Sequence, residues 1–123
     1  MTTILPALAG YIILSITMLW VARAGANGSL DVNGAIGVRT QQTRESPQAW
    51  KAAHRAFLPF ATAVAVTCAV FVVALPLMYF AAFSQDNLGI MAVAGYAVVL
   101  GIIVAGGIKS NEVAREINEG QTA

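Results

Sequence analysis

Three stretches of this chain carry no charged side chain: residues 1–22, 56–85 and 87–108. A hydrocarbon core about 30 Å thick is crossed by roughly 20 apolar residues in a helix, so each stretch can span one. A soluble alternative fails on geometry. Three helices apolar all round, in a chain of 123 residues, would leave almost no polar face to cover the outside. Charged residues make up only 11% of the chain, against about a quarter in soluble domains, and they cluster in one loop and one tail. The expected fold class is an all-α membrane protein, a single domain with three transmembrane helices.

The spans are expected at about 4–22, 57–83 and 88–108. The first holds nine Leu, Ile or Val residues, each favouring insertion by about 0.3 to 0.6 kcal/mol at mid-bilayer. Ala24-Gly25-Ala26 faintly resembles a signal-peptide cleavage site. The basic leader segment is missing and the apolar run is long, so an uncleaved helix is expected. The second stretch exceeds the bilayer thickness and must tilt, kink or begin among headgroups, with Pro59 and Pro76 as places to do so. Ser84-Gln85-Asp86-Asn87 is short enough only for a tight helical hairpin. Small residues mark the contact stripes of membrane helices. Ala61, Ala65 and Ala69 on the second helix, with Gly95 and Gly101 on the third, are the candidates, either within one chain or in a homo-oligomer.

Orientation follows from the bases. Arg23, Arg39, Arg44, Lys51 and Arg55 lie between the first two spans, and Lys109 and Arg115 in the tail 109–123. With three spans these segments share one side of the bilayer, which the positive-inside pattern makes cytoplasmic. The N-terminus is then outside and the C-terminus inside. The lone Cys68 lies in a span and defines no disulfide framework.

Any chemistry falls to the loop 23–55, which is long for a link between neighbouring helices. Ala24 to Ser29 reads as flexible, and Asn27-Gly28-Ser29 is a glycosylation triplet on the wrong side of the membrane to be used. Asn33-Gly34 is a turn signal. Ser46-Pro47 is a helix start, with a capping hydroxyl and a proline suited to the first turn. A short interfacial helix over 47–55 is expected, with Trp50 as its anchor, Trp50, His54 and Phe57 on one face, and bases near lipid phosphates.

The pattern Asn33-x-x-x-Gly37-x-Arg39-Thr40-x-x-Thr43-x-x-Ser46-x-x-x-Trp50-x-x-x-His54-Arg55 resembles the signature loop of the SdpI family of bacterial membrane proteins. The family takes its name from a protein giving immunity to a secreted killing peptide, which in its founding system also holds a repressor at the membrane. The chain resembles the short, three-helix members. The resemblance implies a non-enzymatic protein of immunity or signal transduction, with a peptide toxin, a repressor or a larger membrane complex as candidate partners besides the lipid bilayer. Physically, Arg39 and Arg55 offer forks for phosphate or carboxylate, and Thr40, Thr43 and Ser46 could complete an anion cradle near a helix N-terminus. Alternatively, these residues only fold the loop. Both readings stand at this stage.

Other chemistries lack residues. One His and one Cys on different segments make no zinc set, and no cofactor is implied. Asp31 and Glu45 are the loop's only carboxylates, and nothing places them beside His54, so no catalytic residue is assigned. Gly107-Ile108-Lys109-Ser110 lacks the Gly-Lys adjacency of a phosphate loop. No nucleic-acid partner is expected, because Glu112, Glu116 and Glu119 outnumber the tail's bases; a short helix over Asn111 to Asn118 is expected there. The alternative function is that of a small accessory subunit of a membrane complex.

Overall fold

Helix periodicity and helix stop signals together account for the architecture. The computed structural model describes residues 1–122 and contains three α-helices: α1 (Ile4–Asn27), α2 (Pro47–Phe80) and α3 (Gln85–Thr122). All three are long and apolar enough to cross a membrane. Their outer faces carry Leu5, Ile13, Ile16, Val66, Val73, Leu77, Val93 and Leu100, all exposed. Such a continuous apolar exterior suits lipid as the surrounding solvent. The last residue of the expected tail, Ala123, lies outside the described residues.

Every helix overruns the span assigned to it at the end nearer the long loop, whereas α2 stops at Phe80, short of the expected 83. α1 continues through Ala24-Gly25-Ala26, the segment expected to be flexible, and stops at Gly28, whose φ of 87° only glycine adopts freely. The extra turn holds because Ala24 and Gly25 are buried, Gly25 against His54 of α2. At about 1.5 Å per residue, α2 and α3 are about 51 and 57 Å long, well beyond a hydrocarbon core. Residues 47–55 are therefore not a separate interfacial helix. Ser46 accepts a hydrogen bond from the Ala49 amide (3.1 Å), Pro47 opens the first turn, and the helix runs on through Pro59 and Pro76. Likewise residues 111–118 continue α3 without a break. The hairpin between α2 and α3 is 81–84 rather than 84–87. Ser84 caps α3 by accepting from the Asn87 amide (3.2 Å), so the helix begins at Gln85.

α2 lies between the other two helices and packs on both. Its inner face runs Ala49, Ala53, Phe57, Ala61, Val64, Cys68 and Leu75, all buried. Of the expected stripe, Ala61 belongs to this face, Ala65 is half-buried and Ala69 is exposed. The reason is angular: a four-residue spacing drifts about 40° per step at 3.6 residues per turn, and after three such steps from Ala49 to Ala61 the buried line takes a step of three to Val64, which leaves Ala65 and Ala69 off it. On α3, Gly95 is buried, but Gly101 is exposed with open space where a side chain would be. Gly106 takes the inner position instead, because a methyl group there would press on Phe57 and Phe60.

A reciprocal clasp joins α1 to α3. The Tyr11 hydroxyl donates to the Ala92 carbonyl (2.6 Å), and the Tyr96 hydroxyl donates to the Ala7 carbonyl (2.7 Å). Each acceptor lies four residues before the other tyrosine. The rings stack at 4.2 Å, and each phenol occupies the space a side chain at Gly10 or Gly95 would need. In an apolar surround both hydroxyls need a partner, and each finds one on the other helix.

Candidate functional site

The loop between α1 and α2 is folded onto the end of the bundle from which α2 and α3 project. Asn33 organises its first turn. Its Nδ2 donates to the Asp31 and Ile36 carbonyls (2.9 and 3.0 Å), and its Oδ1 accepts from the Ala35 and Ile36 amides (2.8 and 2.6 Å). This is an Asx-type turn in which one side chain satisfies four backbone groups.

The strap 35–38 then docks on α2. Gly37 has φ 116°, and an added Cβ would stand 2.8 Å from both His54 Nε2 and Trp50 Cη2. The next amide, Val38 N–H, donates to His54 Nε2 (3.0 Å). His54 Nδ1 lies 2.8 Å from the Trp50 carbonyl. These two contacts define the tautomer: Nε2 accepts and Nδ1–H donates, so the ring is neutral. His54 lies outside the charge-free stretch that starts at Ala56, and burial pushes its pKa below the ordinary value. Gly25 of α1 closes the other side of the ring, since any side chain there would collide with it.

Trp50, expected as a membrane anchor, is buried at 1% exposure. Its Nε1–H donates to the Leu30 carbonyl (2.8 Å), fastening the loop's first half to α2. Trp20, at 55% exposure, is the tryptophan that remains on the surface.

Thr40 and Thr43 pair reciprocally. The Thr43 hydroxyl accepts from the Thr40 amide (2.8 Å), and the Thr40 hydroxyl accepts from the Thr43 amide (3.1 Å). Thr43 is buried, and its hydroxyl also lies 2.7 Å from the Val38 carbonyl. Ser46 is used as the α2 cap and touches Asn118 (3.4 Å). Asn118 in turn donates to the Gln42 carbonyl and side chain (2.8 and 3.0 Å), tying the loop to the far end of α3. The hydroxyls of Thr40, Thr43 and Ser46, the expected candidates for an anion cradle, thus each accept from one of the protein's own amides.

The bases behave oppositely. Arg39, Arg44, Lys51 and Arg55 are all exposed. Arg39 and Arg44 each direct Nε–H to a carbonyl, of Asn33 (3.3 Å) and Thr40 (3.4 Å) respectively. Among the described residues the ion pair within 4.0 Å joins Arg115 to Glu119 (3.8 Å) in the α3 extension, not the loop.

A family model described as the SdpI/YfhL protein family matches residues 29–105, more than half of the chain. The chain belongs to the SdpI/YfhL family. The matched region covers this folded SdpI/YfhL loop, all of α2 and the first part of α3, up to residue 105. No match was found among curated proteins or among solved structures. Several partners of the signature residues escaped sequence reading: Gly25, Leu30, Val38 and Asn118. Three of them act through backbone atoms or as a missing side chain, which side-chain chemistry does not flag. Asn118 would have been a candidate only had α3 been expected to reach the loop.

Proposed function

We propose that this SdpI/YfhL protein is a non-enzymatic, multi-pass protein of the bacterial cell membrane that binds an anionic group or an acidic partner through the exposed bases of its loop and of the first turns of α2. The loop and tail face the cytoplasm, and the binding serves immunity to membrane-active peptides or envelope-stress signalling. One observation carries the reading. The neutral polar residues of the signature are turned inward and satisfied, whereas Arg39, Arg44, Lys51 and Arg55 stand exposed on the scaffold they build. A loop whose backbone is already held by these hydrogen bonds has less backbone freedom to lose when its guanidinium forks bind phosphate or carboxylate.

The test replaces Arg39 and Arg55 by Gln, separately and together, and challenges the host with membrane-active peptides. Removing an exposed charge leaves thermal stability within about 0.5 kcal/mol. The expected outcome is a folded, inserted protein whose double variant is as peptide-sensitive as a deletion strain. If neither the deletion nor the variants change sensitivity, the immunity role is wrong.

A second reading rests on the outer face of α3. Ala97, Gly101 and Ala105 repeat at four-residue spacing on exposed helix surface, the pattern of close helix contact. It supports an accessory subunit seated against a larger membrane complex. Extraction in mild detergent followed by affinity purification separates the two, with a stoichiometric co-purifying complex favouring the accessory role.

A further inference from the structure

The strap 35–38 is held to α2 by an acceptor that a single proton removes. His54 Nε2 takes the Val38 amide, while Nδ1–H is already committed to the Trp50 carbonyl. A proton can therefore enter only at Nε2, where it would place N–H against N–H and set a charge in a closed site. No carboxylate faces that charge. α1 meets the ring through Gly25, the strap through Gly37 and Val38, and α2 through Trp50. The nearest titratable and charged groups along these elements, Arg23, Asp31, Arg39, Lys51 and Arg55, are exposed, and four of those five are cationic. On α3, Lys109 and Glu112 are exposed as well, while Ser110 and Ala114 face inward.

We propose that the strap is a proton-released latch: a neutral His54 ring holds residues 35–38 against α2, and protonation of that ring frees them. The sign follows from linkage. A His whose folded pKa lies below its unfolded value near 6.5 contributes full stability above 6.5 and loses it as pH falls toward the folded value. Acidification on the loop side is thus the releasing direction. Arg39 follows the strap directly, so under the function proposed above release also withdraws one of the binding bases. That consequence rests on the functional reading. The latch itself does not.

His54 is the only histidine, so its ring signals are unambiguous by NMR in the full chain reconstituted in lipid nanodiscs. Ring nitrogen shifts and the exchange protection of the Val38 amide, each normalised to the intrinsic rate, are followed from pH 8 to pH 5. The expected result is an Nδ1–H tautomer at pH 8 and a loss of Val38 protection of at least tenfold that tracks the ring's titration. In His54→Gln, whose amide oxygen does not titrate, Val38 protection should not vary with pH. A variant unprotected at both ends of the range would equally show that the imidazole acceptor is the latch. The proposal is overturned by an Nε2–H tautomer at pH 8. It is also overturned if protection stays constant through the ring's titration, or if His54→Gln shows the same acid-dependent loss.

Discussion

At the scale of single residues, the signature is mostly a folding instruction. Asn33, Thr40, Thr43, Ser46, Trp50 and His54 each spend their polar atoms on the loop's own backbone or on helix ends. The two ring residues require neighbours without side chains. Gly37 is demanding twice over, because its φ of 116° strains any L-residue and its Cβ position is taken by His54 and Trp50. Gly37→Ala is expected to lower stability by about 1 to 3 kcal/mol. A thermal melt in detergent checks the loss, and increased proteolysis within 28–46 shows where it falls. The residue types were readable from sequence, and the ambiguity between scaffold and ligand cradle was inherent. A hydroxyl near a helix start serves either purpose, and only distances to the Thr40, Thr43 and Ala49 amides separate them.

At the scale of elements, the decisive fact is that α2 and α3 extend past the apolar stretches and meet there through Ala49, Ala53 and Ala114. Charge-free runs were sufficient to place three helices but not to end them. Polar residues continue a helix wherever its inner face still packs, as Ser110 and Asn118 do on either side of the buried Ala114. Asn118→Ala removes both bonds to Gln42 and is expected to cost about 1 to 2 kcal/mol. Faster amide exchange over 40–46, with exchange in 57–80 unchanged, would be its mark. The tyrosine clasp makes a second prediction. In a Tyr11→Phe, Tyr96→Phe double-mutant cycle, each single change is expected to cost about 0.6 to 1.7 kcal/mol, with coupling of the same sign through the stacked rings. Unfolding in mixed micelles measures both terms. Neither tyrosine stood out in sequence, since a lone Tyr in an apolar run signals no particular partner.

At the scale of the whole molecule, three greasy helices end on one flank in a folded, basic cap and on the other in the four-residue turn 81–84. The helix count, the membrane assignment and the family were all readable from charge spacing and one motif. The packing faces were not, because small residues at four-residue spacing fall on both inner and outer surfaces. The central claim is that the basic cap faces the cytoplasm, and paired cysteine accessibility tests it most directly. Gln41→Cys lies on the exposed cap and Asn87→Cys on the exposed first turn of α3, at the opposite end, while the native Cys68 is buried and serves as a silent control. With a membrane-impermeant maleimide, the account predicts labelling of Asn87→Cys in intact cells and of Gln41→Cys only after permeabilisation. Labelling of Gln41→Cys in intact cells, with Asn87→Cys protected, would contradict it.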